Sequence, residues 1–108
     1  MNEQQIIKQF AEQVCMEFNT NGVTVYRNND RIYGNEIDGT SLERYLSISC
    51  TTVFRSTTQS CFVSHISVNN MLFVIILFSK CKTAFDGIES QYIIDELKKL
   101  KKKLGEIE

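Results

Sequence analysis

Proline is absent from this chain of 108 residues, and no repeat or low-complexity tract interrupts it, so nothing marks an internal boundary. The length is that of one domain with one hydrophobic core, spanning residues 1–108. A formal net charge of −1 supplies no bulk pull toward nucleic acid or anionic lipid. Histidine occurs once, at His65, and the four cysteines, Cys15, Cys50, Cys61 and Cys81, are scattered without a CxxC pair. A structural zinc site wants four thiolates or imidazoles, usually with two closely spaced, so no metal site is expected. Neither GxGxxG nor GxxxxGK[ST] occurs, which leaves no phosphate cradle and no cofactor to argue for.

Long apolar runs are missing as well. The longest, Met71 to Phe78, is eight residues flanked by Asn69, Asn70 and Lys80, whereas a bilayer-crossing helix needs about 20. No membrane span is therefore expected. The start, "MNEQQIIKQF", carries Glu3 early and lacks both a basic beginning and an apolar stretch, so it does not read as a signal peptide, and a cytoplasmic location is the default. What is present is the composition of an ordinary globular domain, 43% hydrophobic and 23% charged.

Ile6, Ile7, Phe10, Ala11, Val14 and Phe18 recur at spacings of three and four, one stripe of an amphipathic helix over Glu3–Phe18. Asn2 is placed to cap it and "NTNG" from Asn19 to Gly22 to stop it. "GVTVYRNNDRIYGNE" then reads as a hairpin, with strands near Val23–Arg27 and Arg31–Gly34 around a turn at Asn28, Asn29 and Asp30.

In "DGTSLERYLSISCTTVFRST" the Thr, Val and Phe residues favour a strand, but Leu42, Tyr45, Leu46, Ser49, Cys50, Val53 and Phe54 keep helical spacing. That spacing predicts a second helix over Ser41–Arg55, capped by Thr40 or Ser41, with Thr40 and Glu43 fitting the capping-box pattern. Cys15 and Cys50 fall on the apolar faces of these two helices, where a reduced thiol behaves as a small hydrophobe. Ile48 lies off the main stripe, with Tyr45 at its edge. Such a flank either meets a second chain or carries a scattered exposed Ile on a monomer.

"CFVSHISVNNMLFVIILF" reads as a second hairpin turning at Asn69-Asn70. Its first arm, Cys61–Val68, alternates, with Phe62, Ile66 and Val68 on one side and His65 and Ser67 on the other. The second arm does not alternate, as expected of a strand buried on both faces. A last helix is predicted from Asp86 to Leu104, with Asp86 and Glu89 as a cap pair, an apolar stripe of Ile93, Leu97, Leu100 and Leu104, and Gly105 as its end. Two-faced burial needs apolar cover on both sides. The expected fold class is α+β, in the order αββαβ(β)α, with an antiparallel sheet of four or five strands and helices on both faces.

The segments "GVTVYRNNDRIYGNEIDGTSLERYLS" and "MLFVIILFSKCKTAFDGIESQYIIDELKKL" resemble the strand-turn-strand-crossing helix and the last strand, Gly-containing loop and final helix of the roadblock family of dynein light chains and small-GTPase regulators. The related longin domains begin with strands, whereas this chain begins with a helix. Roadblock members usually have three strands after the middle helix, and two are legible here. Either the second helix is shorter than its periodicity suggests and "TTVFRST" is a strand, or the sheet has lost one. The resemblance implies a non-enzymatic dimer, of this chain with itself or with a paralogous roadblock-like subunit. In such dimers the crossing helices pair, the sheets join edge to edge, and the joined surface serves a Ras-like small GTPase or a motor or endomembrane assembly. Tyr45, Ile48, Thr52 and Arg55 are the residues expected at that interface.

Catalysis needs a nucleophile, a base and an orienting group brought together. His65 is the only imidazole, Ser64 and Ser67 are its neighbours along a strand, and Glu36 and Asp38 precede the second helix with no opposed carboxylates. No catalytic residue is assigned and the chain is not expected to be an enzyme. The competing reading is a nucleic-acid or acidic-partner module using Lys98, Lys99, Lys101, Lys102 and Lys103 of the last helix. Asp95, Glu96, Glu106 and Glu108 interleave with or follow these lysines. Cations at a helix C-terminus also have a bland explanation, as a solvated end complementing the helix dipole.

Overall fold

The computed structural model describes residues 1–18 and 20–107; Asn19, in the turn expected after the first helix, and Glu108 lie outside them. The elements run α1 (Glu3–Glu17), β1 (Gly22–Arg27), β2 (Asp30–Tyr33), α2 (Gly39–Leu46), β3 (Thr52–Arg55), β4 (Ser60–Val68), β5 (Met71–Ser79) and α3 (Gly87–Gly105). All strand pairings are antiparallel, in one five-stranded sheet ordered β2-β1-β5-β4-β3. The fold is the expected α+β arrangement, with five strands rather than four.

The apolar run becomes β5, held between β1 and β4. Its odd-numbered side chains, Phe73, Ile75 and Leu77, join a large core under α1 and α3 that includes Ile7, Val14, Phe62, Phe85, Ile93 and Leu97. Val74 and Ile76 point the other way, into a thinner layer with Tyr26, Cys61 and Val63 beneath α2. The expected alternation of β4 therefore holds only in part. Phe62, Ile66 and Val68 do share a face, but Cys61 and Val63 are buried on the opposite one, because α2 covers that end of the strand as well.

Local chemistry sets the element ends. The Asn2 side chain accepts from the Gln5 amide at 2.9 Å and the Gln5 side chain accepts from the Asn2 amide at 2.9 Å, a reciprocal cap that starts α1. Asp86 accepts from the Glu89 amide at 2.9 Å and starts α3, whose stripe of Ile93, Leu97, Leu100 and Leu104 is buried. Both two-residue hairpin turns are Asn-Asn pairs with left-handed backbone: φ is 49° and 72° at Asn28 and Asn29, and 51° and 64° at Asn69 and Asn70.

The second helix is shorter than its periodicity predicts. α2 ends at Leu46, and Thr52–Arg55, expected to be its last turns, form the edge strand β3 on β4. Residues 47–52 are mostly Ser, Thr and Cys, whose hydroxyls compete for the backbone: Ser47 Oγ donates to Arg44 O at 3.0 Å and Thr52 Oγ1 to Cys50 O at 2.9 Å. The open edge of β4 offers Thr52–Arg55 the alternative. The cap is also two or three residues earlier than expected: Asp38, not Thr40 or Ser41, accepts from the Ser41 amide at 3.0 Å.

The connection from β2 to β3 crosses the whole sheet, four strand spacings or about 19 Å. Eight helical residues supply about 12 Å of that, and the extended segments on either side supply the rest. The crossing begins at Gly34, with φ +84°, where an added Cβ would lie 2.0 Å from Val23 O. Gly34→Ala is expected to cost at least about 1–3 kcal/mol from backbone strain alone. Gly22→Ala, whose Cβ meets nothing within 4 Å, should stay close to wild type. Urea denaturation of the two variants checks the contrast; equal stabilities would refute it.

Candidate interaction surface

Every residue of α2 is half-buried or exposed, although the strands beneath it are buried. Leu42, Tyr45 and Leu46 of α2, with Ile37, Ile48 and Phe54, form a lid of partly buried apolar groups over Tyr26, Cys61, Val63, Val74 and Ile76. Tyr45 is its centre. Its ring lies 5.1 Å from that of Phe54, its carbonyl oxygen is 3.2 Å from His65 Nε2, and its hydroxyl meets the Cys61 thiol. Burial, reinforced by that thiol, pushes the Tyr45 hydroxyl up to about 12. Burial also raises the Cys61 thiol, an effect the Tyr45 contact partly offsets. On the outer side the Arg44 guanidinium stacks 4.7 Å from the Phe54 ring centre.

The two edges of the sheet are finished differently. At β2 the Gln4 amide donates to Ile32 O at 2.8 Å and Arg31 donates to Gly34 O at 2.6 Å, so α1 and the strand's own side chain occupy edge carbonyls. At β3 the pairs Thr52–Val63 and Phe54–Cys61 bond inward to β4, which turns the backbone groups of Val53 and Arg55 outward. This open edge adjoins the α2 lid.

The four residues expected at the interface do not share one helical flank. Tyr45 is on α2, Ile48 lies beyond its end and packs into the lid, and Thr52 begins β3 on the same side of the sheet. Arg55 ends β3 and turns to the opposite face. There its guanidinium donates to Ser60 Oγ at 2.8 Å, to Lys82 O and Ala84 O at 2.7 Å, and to Phe85 O at 3.3 Å. It clasps the loop that leads into α3, where Phe85 holds a φ of 61° and stacks 5.9 Å from Phe62. An Arg in a predicted helix gave no sign of this role, because its partners lie about thirty residues away in sequence.

The lysines divide into two flanks. Lys99 pairs with Glu96 at 3.1 Å and, with Lys103, borders a groove against Gln9 and Gln13 of α1. Lys98, Lys101 and Lys102 border a second groove with Ser67, Val68 and Asn69 at the end of β4. Cys15 and Cys50 are exposed rather than set in apolar faces: Cys15 lies outside the buried stripe of α1, and Cys50 precedes β3 in irregular chain. Cys61 is the buried thiol, and all four are free. Among the described residues no group of three His, Cys, Asp or Glu side chains could hold a metal ion. No described helix is long and apolar enough to cross a membrane.

An open groove of about 720 Å3 separates the C-terminal half of α1 from the crossing segment. Two of its polar side chains bond within the fold, Thr24 Oγ1 donating to Asn35 O at 2.9 Å and Asp38 accepting from the Ser41 amide. That cap bond holds the Asp38 carboxyl below its ordinary value.

Two outcomes follow from this geometry. Because folding raises the Tyr45 hydroxyl from its ordinary value of 10 to about 12, its contribution is complete below pH 10 and lost as pH rises toward 12. Wild type should therefore lose stability more steeply across that window than Tyr45→Phe; parallel urea-denaturation profiles would contradict this. Arg55→Ala should destabilise by about 1.5–3 kcal/mol, the range for hydrogen bonds to a charged group, as read from the urea midpoint.

A scan of known protein families matches none to this chain, and no curated protein matches its sequence.

Proposed function

We propose that the chain is a non-enzymatic, roadblock-like scaffold subunit of the cytoplasm that pairs with a second copy or a paralogous subunit through α2 and β3. The observation that carries this is the half-covered lid of α2 lying beside the unpaired edge of β3. An isologous pair needs one self-complementary patch. Two β3 strands set antiparallel about a two-fold axis at Phe54 supply it, matching Val53 of one copy with Arg55 of the other and bringing two α2 lids side by side. Pairing of the edges would satisfy the outward groups of Val53 and Arg55 and remove the lids from water.

Three further features support the reading. The strand after the middle helix that periodicity had concealed, β3, restores the three-strand order of the roadblock resemblance. The far edge, β2, is finished by Gln4 and Arg31 and offers a second chain less. Four free thiols suit a reducing compartment. The joined surface of such a pair is the platform on which a Ras-like small GTPase, or a component of a motor or endomembrane assembly, would sit.

Multi-angle light scattering at tens of micromolar tests the pairing. Wild type should run at twice the monomer mass of 12.5 kDa. Val53→Pro removes an outward N–H without costing a bond to β4, and Ile48→Asp charges the lid; each should run as a folded monomer by circular dichroism. A wild-type monomer that finds no paralogous partner sinks the proposal, and variants that remain dimeric move the interface elsewhere.

A further inference from the structure

We propose that the open half of β4 takes an extended acidic segment of a partner protein as an added strand. β3 pairs only with Ser60–Val63, whereas β4 continues to Val68, so five residues of β4 have no strand partner on that side, although the Ser64 and His65 side chains reach Thr51 Oγ1 and Tyr45 O. The two-residue turn at Asn69-Asn70 closes on Val68 and Met71, which sets the phase of the ladder. Val68, Ile66 and Ser64 exchange hydrogen bonds with β5, and the backbone groups of His65 and Ser67 face outward. Among the described residues nothing bonds to those outward groups. They form a strand template one position inside the β3 edge.

A second, independent feature gives the template a charge preference. Lys98, Lys101 and Lys102 lie at helical spacings of three and four on the flank of α3 that overlooks this edge. They line a groove of about 530 Å3 with Ser67, Val68 and Asn69, and Glu106 is the one carboxylate on its rim. None of the three lysines makes an ion pair among the described residues. Gly105 holds the end of α3 close, since a Cβ there would lie 3.8 Å from Val68 Cγ1.

The two spacings match. Side chains on one face of an extended chain repeat every two residues, about 6.6 Å, and lysines three or four apart on a helix are separated by about 5–6 Å. An added strand with acidic residues at alternate positions would carry its carboxylates along the lysine row while its backbone pairs with His65 and Ser67. A nucleic-acid backbone would satisfy the lysines but has no ladder of donors and acceptors for the strand edge. The proposal uses β4 and α3, so it stands or falls separately from pairing through β3.

The probe is a short fluorescein-labelled peptide in which Glu alternates with Val, titrated with the full chain and read by fluorescence anisotropy. Binding should weaken with salt and fall by about tenfold in the triple variant Lys98→Gln, Lys101→Gln, Lys102→Gln, whose exposed changes leave the fold intact by circular dichroism. A peptide N-methylated on the amides that face β4 should lose binding while keeping every charge. Hydrogen exchange of the His65 and Ser67 amides should slow in the complex. No binding at low salt overturns the proposal, as does equal affinity for the N-methylated peptide. Competition by a short RNA duplex at the same affinity as the peptide would also overturn it, by showing that the lysines recognise polyanions without the strand edge.

Discussion

Burial of β5 on both faces is the constraint on which the rest of the molecule depends. A strand carrying Phe73, Ile75 and Leu77 on one side and Val74 and Ile76 on the other needs apolar cover above and below. The long helices α1 and α3 give the first face a deep core. The second face receives only the crossing connection from β2 to β3, and its eight-residue helix is too short to bury itself while covering the strands. The asymmetry of the two layers is thus a consequence of topology. It leaves the α2 side as the thinner of the two covers.

The parts of the fold that were legible in the sequence are those decided locally. Spacing of Ile6, Phe10 and Val14, and of Ile93, Leu97 and Leu104, reports one buried stripe each; two Asn-Asn pairs announce tight turns; an apolar run of strand length announces a central strand. The second helix was overextended because Val53 and Phe54 keep helical spacing from Leu42 and Leu46, although they reach the two faces of the sheet as neighbours on β3. What decided the matter was the open edge of β4, which no window of the local sequence contains. The four residues expected at an interface are separated for the same reason, since the helix that would have aligned them ends at Leu46. Tyr45 and Ile48 do lie in the lid, but Arg55 left the supposed flank for carbonyls in the loop before α3. The exposure of Cys15 and Cys50 follows from the same two facts, a narrow stripe on α1 and a helix that ends before Cys50.

Three chemically different surfaces meet on the β3–β4 side of the sheet. The α2 lid is apolar, the β3 edge is bare backbone, and the open half of β4 is bare backbone beneath a row of lysines. Arg55 ties this side to the α3 loop, because it leaves β3 to hold Lys82, Ala84 and Phe85 by their carbonyls. A displacement of the β3 edge would pull on the loop that seats Phe85 against Phe62 in the deep core.

The strand order also shapes how the chain must assemble itself. The hairpins β1-β2 and β4-β5 close between neighbours in sequence, but the pairing at the sheet's centre joins Thr24 to Ile76 and Val25 to Ile75. Loop-closure entropy makes such distant contacts slower to form than local ones, which favours closing the two hairpins before β1 meets β5. Until they meet, β5 presents an open edge with apolar side chains on both faces, the kind of edge that invites association. That state lasts longest at the Phe73–Leu77 face, because α3, one of the two helices that share its cover, lies after β5 in sequence.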